Sequence, residues 1–151
     1  MRLDLTHTAL LAAAFTAVLT FGTAAHAQDA LSKAAQEPGA ATTPSGLVYR
    51  SLKEGKGPSP QATDTVRVHY RGTFPDGREF DSSYKRGQPA TFPLNRVIKC
   101  WTEGVQRIKV GGKAKLTCPA AIAYGDRGAG SDIPPGATLQ FEVELLGIEG
   151  K

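Results

Sequence analysis

The stretch TVRVHYRGTFPDGREFDSS, Thr65–Ser83, alternates through its first half: Val66, Val68 and Tyr70 point one way, Arg67, His69 and Arg71 the other. A period of two in apolar and polar side chains marks a strand with one face in a core and one in water. Pro75-Asp76-Gly77 then supplies turn chemistry, and the chain folds back into Arg78–Ser83. One-sided alternation joined to a tight turn predicts an antiparallel sheet, because parallel strands are buried on both faces.

Outward from this hairpin the pattern recurs. LVYRSLKEG (Leu47–Gly55) reads as an earlier strand, ended by a Gly- and Pro-rich break. GKAKLTC (Gly112–Cys118) turns Ala114, Leu116 and Cys118 to one face. ATLQFEVELLGI (Ala137–Ile148) turns Leu139, Phe141, Val143 and Leu145 inward, and Gln140, Glu142 and Glu144 outward. Helical spacing occurs once, in CWTEGVQRIKVGG, where Trp101, Val105 and Ile108 fall at i, i+4 and i+7 before a Gly111-Gly112 stop. One short helix must therefore cover the apolar face of a whole sheet. The predicted class is α+β: a curved antiparallel sheet of about five strands wrapped around one short α-helix.

Ahead of this region the composition changes. Thr8–Ala25 is apolar and uncharged, follows Arg2, and ends in the small-x-small pattern Ala25-His26-Ala27. Residues 1–27 read as a signal peptide cut before Gln28, in preference to a membrane anchor. Residues 28–45 are small, polar and interrupted by Pro and Gly. They read as a flexible leader, with no more than a fleeting helical turn near Ala30–Glu37. The folded domain is expected over 46–151. An exported chain of this kind is expected in the periplasm, as a monomer, with no membrane association after cleavage.

The formal charge is +4, from 18 basic and 14 acidic side chains, and cleavage removes one of each, Arg2 and Asp4. So mild and even a balance excludes nucleic acid as a partner, which needs clustered Lys and Arg. Past residue 27 the sole histidine is His69, on the wet face of its strand, and no G-x-S-x-G elbow exists, so a hydrolytic triad is excluded. One His and two separated Cys do not make a metal site, and no cofactor is expected. GDRGAG (Gly125–Gly130) lacks the Lys-Ser/Thr ending of a phosphate-binding loop and reads as a mobile loop. What remains is a set of aromatics large for so small a core: Tyr70, Phe80, Phe92, Trp101, Tyr124 and Phe141. With Asp81 beside Phe80, they have the makings of an apolar cup with a polar rim.

Four ordered blocks carry a family resemblance: VHYRGTFPDGREFDSS, VIKCWTEGVQRIKVGGKAKL, AIAYGDRGAG and IPPGATLQFEVELL. Together they resemble the FKBP-type peptidyl-prolyl cis/trans isomerases, from about Gly46 to Gly147. The resemblance implies a ligand pocket between the sheet and the helix. Its pocket positions would be Tyr70, Phe80, Asp81, Val97, Ile98, Trp101, Tyr124, Ile133 and Phe141, with Arg86 supporting the aspartate. It implies acceleration of X-Pro rotation in folding exported proteins, with proline-containing polypeptides as partners and macrolides as inhibitors. The alternative is a proline-binding chaperone or adaptor with little catalysis. Against the family pattern, Ala90 stands where relatives often place an aromatic, Asp132 is charged in the flap before Ile133, and Cys100 replaces a frequent glycine.

Cys100 and Cys118 are the chain's two cysteines. Export to an oxidising compartment, the even count and the inward face of Cys118 favour a bridge. Two buried thiols that never meet are the other state open to them.

Overall fold

The computed structural model describes residues 22–151, so the expected signal peptide lies outside the described residues up to position 21. In chain order the elements are α1 (Gly22–Ala35), β1 (Ala40–Thr42), β2 (Val48–Lys53), β3 (Thr65–Thr73), β4 (Glu79–Ser82), α2 (Ser83–Arg86), β5 (Ala90–Pro93), α3 (Lys99–Val105), β6 (Lys113–Cys118) and β7 (Leu139–Ile148). Short 3-10 turns occupy Leu94–Arg96 and Ala120–Ile122. The strands form one sheet in the order β1-β2-β6-β7-β3-β4, with β5 also paired to β3, and every pairing is antiparallel.

The alternation read from the sequence maps directly onto burial. Val66, Val68 and Tyr70 of β3, Ala114, Leu116 and Cys118 of β6, and Leu139, Phe141, Val143 and Leu145 of β7 all lie in one core. The sheet has seven strands where about five are expected; the additional β1 and β5 are three and four residues long. Neither is long enough to show a period of its own.

Helix α3 rests on β6 so closely that a Cβ on Gly104 would lie 2.8 Å from the Leu116 methyl carbons. It ends at Val105, short of the Gly111-Gly112 stop expected from the sequence. Arg107 and Ile108 donate their N–H groups three residues back, to Gly104 and Val105, and this tight turn delivers Ile108 into the core. Gly111 and Gly112 already exchange hydrogen bonds with Leu145 of β7. The helix must stop early to let the chain return to the sheet.

Residues 28–45, expected as a flexible leader, form most of α1 and all of β1. Ala30 and Ala34 share one helix face and are 8% and 4% exposed. Beyond the helix, the Glu37 carboxylate accepts from Lys115 Nζ at 2.7 Å and from Arg50 Nη1 at 2.9 Å. These contacts hold α1 and β1 against the β2–β6 end of the sheet. A stripe of two alanines is too small to read as an apolar face from sequence, which is why the residues predict no more than a fleeting helical turn there. Among the described residues no helix is long and apolar enough to cross a membrane.

Cys100 and Cys118 are joined by a disulfide with Cα atoms 5.9 Å apart. It links the first turn of α3 to the last residue of β6. Of the two states open to the cysteines, the bridge is the one present.

Candidate active site

The site grows from an interruption in β3. Along one edge β3 pairs continuously with β7; along the other it pairs with β5 at Thr65–Val68 and with β4 at Arg71–Thr73. At His69 and Tyr70 no strand among the described residues pairs with the second edge. Ser83, fully buried, fills the gap with its side chain: its Oγ accepts the Tyr70 N–H at 2.8 Å and lies 3.3 Å from the Tyr70 carbonyl. A hydroxyl thus stands in for a missing rung of the ladder. From there α2, capped by Ser82 and closed by Gly87 in the left-handed region, makes a single turn and brings Arg86 back over β3.

Trp101 sits at the centre, only 4% exposed. Tyr70, Phe92 and Phe141 stand edge-on around its indole, with centroids at 5.1, 5.5 and 5.4 Å and interplanar angles of 86°, 87° and 90°. Phe80 meets Phe141 edge-on at 5.6 Å. Edge-to-face contacts suit the ring quadrupoles and leave ring faces free to line a space. Gly72 makes this closeness possible, because a Cβ there would come within 2.6 Å of the Phe80 ring. The resulting cavity, about 510 Å³, is walled by these rings with Val97 and Ile98, and rimmed by Asp81, Arg96 and Tyr124. That size is ordinary for a pocket enclosing a small ligand or a short piece of peptide.

The polar rim is tied together on one side. Tyr70 donates its hydroxyl to Asp81 Oδ2. Arg86 donates Nη1 to Asp81 Oδ1 at 2.6 Å and Nη2 to the Tyr70 oxygen at 3.0 Å. Its guanidinium carbon also lies 5.7 Å from the centre of the Tyr70 ring. Burial pushes the Asp81 carboxyl up, but the hydrogen bonds from Tyr70 and Arg86 and the Arg86 charge outweigh it and hold the group below its ordinary value. Burial, followed by the bond to Asp81, raises the Tyr70 hydroxyl. Asp81 is therefore a fixed anion and Tyr70 a fixed neutral donor. Neither is poised to move a proton near neutral pH.

Eight of the nine pocket positions implied by the resemblance line this one cavity: Tyr70, Phe80, Asp81, Val97, Ile98, Trp101, Tyr124 and Phe141. Ile133 does not. Its backbone pairs with Ala129 across the flap loop and its side chain is buried in the core, so it shapes the loop from behind. Arg86 stands beside the lining residues and braces Asp81 and Tyr70. His69 lies on the opposite face of β3, its Nδ1 2.9 Å from Ser83 Oγ and its ring stacked on Tyr84. The pocket positions implied by the resemblance omit two lining residues, Phe92 and Arg96. Phe92 was visible as part of the aromatic surplus, whereas nothing in the local pattern aims Arg96 at the pocket.

A second, larger groove of about 790 Å³ runs between α1, the β3–β4 turn and Pro134–Thr138. Of the aromatic side chains around Trp101 it contains none, so it is not the candidate site. Among the described residues no group of three or more His, Cys, Asp or Glu could hold a metal ion.

An antiparallel sheet curled on a short helix, with an aromatic pocket between them, defines a family. Residues 57–146 match the FKBP-type peptidyl-prolyl cis-trans isomerases, and the chain belongs to that family. It is 55% identical over 122 residues to the FKBP-type peptidyl-prolyl cis-trans isomerase FkpA of Aeromonas hydrophila, covering 81% of this chain and 45% of that protein. The crystal structure of FkpA from Escherichia coli superposes with a TM-score of 0.81 at 48% identity, over 83% of this chain and 59% of that one. A peptidyl-prolyl cis-trans isomerase from Pseudomonas syringae superposes with a TM-score of 0.77 at 36% identity, over 82% of this chain and 91% of that one. The chain spans about half the length of the curated relatives it matches.

Proposed function

We propose that the pocket accelerates cis/trans rotation about X-Pro bonds in polypeptides. The observation that carries this reading is an apolar cavity, based on Trp101 and walled by rings, whose carboxylate, Asp81, is already committed to Tyr70 and Arg86. Rotation is slow because amide resonance must be broken, a barrier of about 18–20 kcal/mol. Water stabilises the planar, charge-separated amide more than the twisted one, so a prolyl ring held in this cup twists more easily. Losing one amide–water hydrogen bond is worth about 1–3 kcal/mol. A 10⁵-fold acceleration needs about 7 kcal/mol, and the balance comes from holding the twisted amide better than either planar form.

The prolyl ring sits over the Trp101 indole between Tyr70, Phe80, Val97, Ile98 and Phe141. The Ile98 backbone N–H and the Tyr124 hydroxyl hold carbonyls on either side of the bond, and Asp81 adds a polar contact at the rim. Tyr124, 40% exposed in its loop, is within reach of a chain entering from solvent. The clients are folding proteins of the periplasm, reached after cleavage before Gln28, and the domain over 46–151 works as a monomer. Ala90 and Asp132 weaken macrolide binding relative to members with apolar residues there.

The test is exchange between cis and trans Leu-Pro peptides with the full chain, followed by NMR. Wild type should collapse the slow phase, while Asp81→Ala and Tyr124→Phe should lower kcat/KM about tenfold or more with the fold retained. Binding of the peptide with no change in its exchange rate would assign the pocket to a proline-binding adaptor or chaperone instead.

A further inference from the structure

Arg96 lines the pocket and forms no ion pair among the described residues. Its backbone is well held. Arg96 ends the 3-10 turn whose first residue, Leu94, is fully buried. Leu94 donates its N–H to Asp64 at 2.9 Å, and its carbonyl accepts the Thr102 hydroxyl at 2.6 Å. The guanidinium is therefore carried on a fixed root at the edge of an apolar space.

The other charges of the site cancel. Among the described residues Asp81 is the only acidic side chain lining the pocket, and Arg86 meets it. Arg96 is left as an uncompensated positive charge beside Phe92, Val97 and Ile98. Lys99, exposed at the start of α3, has the same sign and also forms no ion pair among the described residues. A polypeptide lying across the pocket must carry the neighbours of its proline past this wall. The low-polarity rings on one side of Arg96 reduce screening there, and its planar fork matches a carboxylate with two parallel hydrogen bonds.

We infer that Arg96 is a specificity residue, selecting polypeptides that carry an Asp or Glu next to the proline. This rests on the isomerase reading of the same pocket. Because Arg96 itself is exposed, the preference is modest, about two- to fivefold in kcat/KM over an uncharged neighbour.

The experiment compares peptides identical except for Glu, Gln or Lys beside the proline, one series placing it before and another after. Exchange is followed by NMR with the full chain, so no coupling protease imposes its own preference. Wild type should favour Glu over Gln about two- to fivefold in at least one series, with Lys below both, and the ratios should shrink toward one in about 0.5 M salt. Arg96→Gln should bring the Glu:Gln ratio to about one, and Arg96→Glu should invert it. Lys53→Gln removes a charge from β2, three strands from β3 in the sheet, and should leave the wild-type ratio intact. Each ratio is taken within one variant, so a general loss of activity cancels. A wild-type ratio near one in both series overturns the inference, as does a preference that survives Arg96→Gln or disappears in Lys53→Gln. Failure of wild type to accelerate any of the peptides would overturn the isomerase reading instead. In that case Trp101 fluorescence titrations with the same peptides still report whether Arg96 selects acidic neighbours.

Discussion

Where β4 and β5 part, Tyr70 would leave a buried N–H without a strand to receive it, and Ser83 supplies the acceptor. Removing that hydroxyl leaves the amide buried and unpaired, a cost of about 1–3 kcal/mol. Ser83→Ala should therefore lower the melting temperature by several degrees. It should also reduce isomerase turnover more than an equal destabilisation elsewhere, because Tyr70 is the link between the strand gap and Asp81. Thermal unfolding and peptide exchange measured on the same sample check both. The rim also has a pH signature. Asp81 has a folded pKa below its ordinary 3.8, so its contribution is complete above about pH 4 and is lost as pH falls through the lower folded value. Tyr70 is raised above 10, so it keeps its proton until pH climbs through that raised value. Turnover should be flat from about pH 5 to pH 9. A bell-shaped profile inside that window would mean that a proton moves in the reaction.

At the scale of elements, the Trp101 indole depends on where α3 begins. Two features set that position: Gly104 lying against Leu116, and the Cys100–Cys118 bridge between α3 and β6. The bridge closes a loop with a sequence separation of 18, worth about 3 kcal/mol in the chain-entropy account. Reduction should lower the melting temperature by about 10 °C. Thiol counting on the oxidised, denatured protein should find none free. The bond is structural, since no C-x-x-C spacing activates either thiol. An unchanged melting temperature after complete reduction would leave both cysteines as packing alone.

Over the whole molecule, the core runs from Leu47 to Leu145 and contains no residue of α1 or β1. What those two elements add is the burial of Ala30 and Ala34, three rungs of ladder from β1 to β2, and the Glu37 pairs with Arg50 and Lys115. Partly exposed ion pairs contribute up to about 1 kcal/mol each, and alanine burial little more. A chain beginning at Ser45 should therefore fold and turn over substrate like the longer one, with a melting temperature lower by a few degrees. Unfolding of that shorter chain would make α1 and β1 part of the domain rather than a covering on its edge.

Four of the longer strands and the inward faces of β3, β6 and β7 were legible from residue order, because a period of two is a local property of the chain. The expected hairpin strand at Arg78–Ser83 is also present, as β4 over Glu79–Ser82. The aromatic surplus, with Asp81 beside Phe80, announced a cup before any fold was known. Other features had no local signal. Strands β1 and β5 exist because β2 and β3 offer them an edge, and α3 stops at Val105 because β7 claims Gly111 and Gly112. Ser83 became part of a ladder only because two strands separate beside Tyr70. Ile133 turned into the core and Arg96 onto the pocket wall from segments with no repeating pattern, where side-chain direction follows from what packs against the segment. Local sequence determined which faces had to be buried; tertiary structure decided which residues met, since those pairings join positions far apart in the chain.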